Sequence, residues 1–169
     1  VSQGYLGCKP VQDLTAMWWS TPFSKAASAE AAQLYHFDMD RFKFIKFFIY
    51  LTDVTPSTGP HCYIRGTHMQ MPDKLWKDGR ISDKELEQEI KRDNWIEIVG
   101  GRGSIIAVDT RGLHKGKPLT EGERLILQFE FTNSLFGAPY HIIDLPLGNA
   151  DKLKRVFTTY PHAFQRFKH

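Results

Sequence analysis

Apolar and polar residues alternate or cluster over short runs along most of this chain. From Lys43 to Leu51 β-branched and aromatic residues predominate, which predicts a strand. Asp53-Val54-Thr55-Pro56-Ser57-Thr58-Gly59-Pro60 ends it in a turn. Tyr63 and Ile64 begin a short strand that stops at Gly66. Trp95 to Val99 alternates, with Ile96 and Ile98 against Glu97; Gly100-Gly101-Arg102-Gly103 is a turn, and Ser104 to Val108 is an apolar strand. Leu125 to Thr132 alternates again, placing Leu125, Leu127, Phe129 and Phe131 on one face and Ile126, Gln128, Glu130 and Thr132 on the other. Nearer the start, Thr15 and the pair Trp18-Trp19 favour a strand over Val11 to Trp19.

Helical spacing is rarer. Between Pro72 and Asn94, Ser82 with Glu85 forms a capping box, and Leu86 and Ile90 follow at helical spacing, which predicts one surface helix. The alanine-rich stretch Ser24 to Gln33 is compatible with a short helix or with a loop crossing. The tail from Asn149 to His169 is helical in part, with Leu153, Val156 and Phe157 as a packing stripe. Short strands joined by Pro/Gly turns around one inserted helix predict a mainly-β sandwich or jelly roll.

Composition narrows the class. At 169 residues, with 41% hydrophobic and 13% aromatic content, the chain suits a single folded domain spanning residues 1–169. Its longest apolar run falls short of the roughly 20 residues that span a bilayer, and no signal-peptide pattern opens it, so no membrane role is expected. Cys8 and Cys62 match neither a zinc spacing nor a disulfide framework, which makes a reducing cytoplasm the expected compartment. The net charge of +3 is mild and interspersed, giving no stripe for nucleic acid. The chain begins at Val1 without an initiator methionine, as a processed or excised piece would.

Candidate chemistry starts at His36-Phe37-Asp38. In an extended segment His36 and Asp38 share a face while Phe37 takes the other. An imidazole and a carboxylate so placed are two of the three ligands of the 2-His-1-carboxylate arrangement of non-haem Fe(II) oxygenases. Given 7 His in the chain, chance alone supplies about half a His-x-Asp, so the pair needs support. Support comes from His114, which follows the apolar strand Ser104 to Val108 across Asp109-Thr110-Arg111-Gly112-Leu113. Ten residues on, Arg124 opens the next strand. An arginine heading a core strand is costly without an anion, and its planar fork suits a carboxylate, hence a small dicarboxylate co-substrate. Gln128 shares its face and is a weaker candidate for the substrate side, with core hydrogen bonding the alternative; Glu130, further along, reads as solvated. Trp18 and Trp19 read as core or lid packing, with a pocket lining as the second possibility. His61, His141, His162 and His169 have no partner pattern and read as surface or satisfied core residues.

The run from Tyr50 through Asp53 and Gly59-Pro60 to Ile64-Arg65-Gly66-Thr67-His68, taken with His36/Asp38, His114 and Arg124 in that order, resembles the phytanoyl-CoA dioxygenase family. The likeness covers about Leu34 to Thr132. The resemblance implies a double-stranded β-helix (a cupin-like jelly roll) and an Fe(II)- and 2-oxoglutarate-dependent dioxygenase. Such an enzyme hydroxylates a small organic substrate with O2 and releases succinate and CO2. It implies His36, Asp38 and His114 as the metal ligands, and Arg124 as the residue that binds the distal carboxylate of 2-oxoglutarate. His68 would be structural, capping a turn. The carboxylate of Asp38 implies hydroxylation, because related halogenases carry a small residue there. Two departures stand out. Gly116 occupies the position where many members carry a Ser or Thr that helps bind the co-substrate, and much of the family's N-terminal part has no counterpart here. The rival readings are a non-catalytic ligand-binding jelly roll and an inactive truncated oxygenase. Substrate identity and oligomeric state are not written in the sequence.

Overall fold

The computed structural model describes residues 1–22, 32–139, 141–144 and 150–168. The strands are β1 (Val11–Ser20), β2 (Phe44–Tyr50), β3 (His61–Ile64), β4 (Trp95–Ile98), β5 (Ile105–Val108), β6 (His114–Gly116), β7 (Arg124–Thr132), β8 (Ile143–Asp144) and β9 (Phe167–Lys168). The helices are α1 (Ser2–Leu6), α2 (Asp83–Glu89) and α3 (Ala150–Thr159). One sheet has the order β1-β7-β2-β5, a second β4-β3-β6, and β8 pairs with β9. The architecture is mainly β, with antiparallel pairing of β2 with β5 and of β3 with both β4 and β6. The chain divides into two compact units, one of Val1–Thr15, Asp40–Ile45 and Phe129–His169, the other of Ala16–Met39 and Lys46–Gln128.

The larger unit is a sandwich whose core is filled from both sheets. Phe48 and Tyr50 of β2, Val108 of β5 and Ile126 of β7 meet Tyr63 of β3, with Val54, Ile96 and Ile106 around them. Burying each large apolar side chain contributes about 1.5–3 kcal/mol. Tyr50 is fully buried and satisfies its hydroxyl by donating to the Ile98 carbonyl at 2.6 Å.

Strand β3 is buried at all four residues, because both of its faces are covered. Alternation sends His61 and Tyr63 toward the sandwich core and Cys62 and Ile64 to the other side. On that far side Cys62 and Ile64 pack with Tyr35, Leu75, Ile81, Leu86 and Leu113. The segment 66–94, carrying α2, is therefore a cap over the outside of the smaller sheet. Ser82 and Glu85 form the expected capping box, and Leu86 is fully buried. Ile90 is the extended residue that ends the helix instead of its last turn.

In the smaller unit, Asp13 sits between two arginines, with Arg41 Nε at 2.7 Å and Arg166 Nη1 at 3.2 Å. Phe157 packs against Phe164 and Phe167 at centroid distances of 5.5 and 5.9 Å. Of the expected tail stripe, Phe157 is buried, Leu153 is half-buried and Val156 is exposed.

Several expectations are corrected. Trp18 and Trp19 do not pack in a core: they are 45% and 66% exposed, and Trp19 Nε1 donates to Glu123. Strand β5 is apolar yet half open, with Ile105 65% exposed, because it lies at the end of its sheet. On β7 the polar set is the buried one, Gln128, Glu130 and Thr132 being at most 3% exposed, so Glu130 is not solvated. Helix α1 and strand β6 were not expected, since neither shows a clear period. Residues 24–31 of the alanine-rich stretch lie outside the described residues. No helix among the described residues is long and apolar enough to cross a membrane.

Two glycines sit where no side chain fits. Gly59 has φ 78°, and a Cβ there would meet Leu119 Cδ1 at 2.5 Å and the Lys117 carbonyl at 2.6 Å. At Gly112 a Cβ would come to 2.1 Å from the Tyr63 hydroxyl, which is itself held by donating to the Asp109 carbonyl at 2.9 Å. Gly112→Ala is expected to cost about 1–3 kcal/mol through overpacking, read as a lower urea midpoint. An unchanged midpoint would show that the Tyr63–Gly112 contact is not tight in solution.

Candidate active site

His36 and His114 are brought together by backbone. The two residues exchange both hydrogen bonds, His36 N–H to the His114 carbonyl at 3.0 Å and His114 N–H to the His36 carbonyl at 2.9 Å. Residues paired in this way present their side chains on the same face. Here the ring centroids lie 4.3 Å apart. Asp38 is fixed two residues on by its N–H donating to the Thr110 carbonyl at 2.8 Å. On the other side β6 pairs with β3, with Tyr63 opposite His114 and His61 opposite Gly116. The turn before β6 is tied by Arg111, whose guanidinium grips the Asp109 carboxylate (Nη2 at 2.6 Å).

The donor atoms converge. Asp38 Oδ1 is 3.7 Å from His36 Nε2, Asp38 Oδ2 is 3.4 Å from His114 Nε2, and the three ligand atoms lie within 4.8 Å of one another. Their protonation follows from their partners. Nδ1 of His36 is 2.9 Å from the Leu34 carbonyl, and Nδ1 of His114 is 2.9 Å from the Gly112 carbonyl. A carbonyl oxygen can only accept, so each Nδ1 carries the proton and each Nε2 offers a lone pair. Orientation of this kind by the second ring nitrogen is usual for metal-binding histidines. Two imidazole lone pairs and a carboxylate facing one small volume repel one another unless a cation lies between them. These three side chains could hold a divalent metal.

Electrostatics favour the metal-ready forms. Burial lowers the pKa of His114 to about 4 and also lowers that of His36, so both rings are neutral at pH 7. For Asp38, burial pushes upward, but the charges of His114 in acid and of Lys46 outweigh it and hold the carboxyl at about 2. Lys46 Nζ lies 2.8 Å from Asp38 Oδ2. The sequence reading missed Lys46; a single lysine inside the apolar run of β2 was the available signal.

Arg124 stands at the start of β7 and donates from Nη2 to Ser20 Oγ at 3.3 Å. Its Nε and Nη1 are buried and have no hydrogen-bond partner among the described residues. A Cβ on Gly116 would lie 3.6 Å from Nη2 and 3.8 Å from Nη1, so the missing side chain leaves space beside the guanidinium. Gln128 lies on the same face of β7, 3% exposed. His68 does not cap the turn that follows β3; Thr67 does, its hydroxyl donating to the Ile64 carbonyl and accepting from Leu113 N–H, both at 2.8 Å. His141 and His162 are exposed, as expected. His61 is neither a surface nor a satisfied core residue. It is buried between Phe48 and His114, at centroid distances of 4.9 and 5.4 Å, and its Nε2 has no partner among the described residues. The sequence reading began its strand at Tyr63; extending the alternation back by two residues would have placed His61 on the site face.

A family model described as phytanoyl-CoA dioxygenase (PhyH) matches residues 5–126. Solved structures with similar folds include EvdMO1 (TM-score 0.57, 20% identity, covering 78% of this chain and 29% of that one). AviO1 from Streptomyces viridochromogenes Tue57 has a TM-score of 0.56 at 20% identity, over 81% of this chain and 56% of that one. HygX from Streptomyces hygroscopicus, solved with nickel and 2-oxoglutarate bound, has a TM-score of 0.52 at 15% identity, over 88% and 67%. These likenesses show the fold, the cupin-like jelly roll expected from the sequence. The chain spans less than two thirds of the length of EvdMO1 and of AviO1. No curated protein sequence matches the chain.

Burial of neutral histidines has a consequence for the metal-free protein. The unfolded chain takes up a proton at His114 near pH 6.5, which the folded chain refuses down to about pH 4. Stability therefore falls as pH drops through that window, by on the order of 3 kcal/mol from this residue alone. Asp38, depressed from 3.8 to about 2, adds a further loss only below pH 3.8. Urea midpoints of the metal-free protein are expected to be lower at pH 5 than at pH 7. A flat profile would contradict the burial of neutral rings.

Proposed function

The chain belongs to the phytanoyl-CoA dioxygenase family, and we propose that it forms the core of an Fe(II)- and 2-oxoglutarate-dependent oxygenase that hydroxylates a small organic substrate. The observation that carries this reading is the convergence of His36, Asp38 and His114 with both Nε2 lone pairs free, on the same unit as a buried guanidinium. His36, Asp38 and His114 are the proposed metal ligands. Arg124 is proposed to bind the distal carboxylate of 2-oxoglutarate, with Gln128 on the substrate side.

The roles of the side chains follow from their surroundings. The carbonyls of Leu34 and Gly112 hold the two rings in the tautomer that leaves Nε2 available. Lys46 keeps Oδ2 of Asp38 engaged and holds the carboxylate in place. Phe48 of β2 and Tyr63 of β3 meet in the apolar cluster between the two sheets. Iron and 2-oxoglutarate, when bound, supply O2 activation with decarboxylation to succinate and CO2. The carboxylate of Asp38 supports hydroxylation over halogenation. HygX has been solved with nickel, 2-oxoglutarate and hygromycin B bound, so a small-molecule partner is the class proposed here. Cys8 and Cys62 are free thiols, in keeping with a proposed cytoplasmic location.

Anaerobic addition of Fe(II) and 2-oxoglutarate is expected to produce the weak visible charge-transfer band of the chelate, and His114→Ala to abolish it. A protein that gives no band is the non-catalytic jelly roll; a band without succinate release under air marks an inactive oxygenase core. Arg124→Lys is expected to weaken 2-oxoglutarate binding by about 10- to 100-fold, because the bidentate fork is lost. Unchanged affinity would assign that carboxylate to another residue.

A further inference from the structure

The charge of Arg124 is not neutralised by an acidic side chain among the described residues: no carboxylate there pairs with it, and the groups that act on its charge are Tyr50 and Cys62. Burial lowers its pKa, which is the signature of a guanidinium with too little anion nearby. Gly116 occupies the position where a hydroxyl would share the load, so the space beside the guanidinium has one wall without a donor. The residue beside Gly116 on the neighbouring strand is His61.

The placement rests on strand register. His61 of β3 is paired with Gly116 of β6, and paired residues project to the same face of a sheet. That face is where the absent Gly116 side chain would meet Nη1 and Nη2 of Arg124. His114 and Tyr63, two residues along, share it. His61 is held there by its rings of contact, Phe48 on one side and His114 on the other, and by its own N–H donating to the Tyr50 hydroxyl at 3.4 Å. An imidazole carries at least one N–H whether neutral or charged, so His61 has a proton to give. Its Nε2 and the Nε and Nη1 of Arg124 are all buried and all without a hydrogen-bond partner among the described residues. Buried polar atoms rarely stay unpaired, and three on one face of one unit call for a ligand that accepts.

We propose that His61 and Arg124 together hold the distal carboxylate of the co-substrate, His61 donating from Nε2–H in the place of the hydroxyl that Gly116 lacks. The ligand class is a 2-oxo acid with a second, terminal carboxylate. This rests on the 2-oxoglutarate reading above and adds to it a second binding residue. His61 is a binding residue for the co-substrate, and through its stack on His114 it also ties the anion pocket to the proposed metal site.

Calorimetry on the nickel-loaded full chain, comparing 2-oxoglutarate with pyruvate, tests this. Both acids offer the same 2-oxo carboxylate to the metal, but pyruvate has no terminal carboxylate. His61→Phe keeps the ring stack and removes the N–H; it is expected to lose about tenfold or more in affinity for 2-oxoglutarate, and less than about twofold for pyruvate and for nickel alone. His61→Gln, which restores an N–H donor, is expected to recover part of the 2-oxoglutarate affinity. Equal losses for the two acids would mean a structural role, and no loss for either would mean that Arg124 works without His61; both overturn the proposal. Should His61→Phe not fold, the Nε2–H proton of the unsubstituted zinc-loaded protein is expected to shift in NMR on addition of 2-oxoglutarate and not of pyruvate; a proton unmoved by both overturns it equally. If the unsubstituted protein binds neither acid, the oxygenase reading itself falls, an outcome distinct from a failure of His61 alone.

Discussion

Two backbone hydrogen bonds, exchanged between His36 and His114, are the constraint on which the rest of this molecule depends. They join segments 78 positions apart in the chain and decide, through the geometry of an antiparallel pair, that both imidazoles leave the backbone on one side. Every other part of the site is placed relative to that pair. Asp38 follows two residues later on the same face; Gly116 follows His114 by two on β6 and opens the space beside Arg124. A slip of one residue in this pairing would turn one of the rings to the other side and part it from its partner, so the register and the chemistry are one specification.

The interior that results is unusually polar for a sandwich of this size. Lys46, His61, His114 and Gln128 are all buried in the larger unit, alongside Phe48, Tyr50 and Ile126. Each costs desolvation that apolar side chains in the same positions would not. The fold tolerates them because the remaining inward positions, and the whole outer cap around Leu86 and Ile81, are densely apolar. Local conflict with the hydrophobic pattern is what a functional cavity looks like in a β fold.

How far the sequence could be read follows from the same conflict. Strand β2 with its β-branched and aromatic residues, the alternating strand β4 and the capped helix α2 were legible because their local preferences agree with their final environment. On β7 the alternation was legible but its sense was not: Leu125 and Leu127 look like the inward set, yet Ile126 and Gln128 are the buried ones. Strand β6 has three residues, His114-Lys115-Gly116, and is defined wholly by its partners on either side. The resemblance pointed to His36, Asp38 and His114 as a set, and the structure brings their ligand atoms together; Lys46 and His61 left only weak local signals, because each is ordinary as a residue and significant by what lies across the sheet from it.

Strand β3 carries a consequence of its own. Its four residues divide evenly between two neighbours, His61 and Tyr63 turned to the site and Cys62 and Ile64 turned to the cap. A change in the cap is therefore made beside a wall that the cap shares with the candidate site. Sequence drift on the cap's solvent side is free, whereas drift beneath it shifts the strand and is felt two residues away in the chemistry. Divergence in such a protein should accumulate unevenly, rapid on the outer turns of 66–94 and nearly arrested along one four-residue stripe.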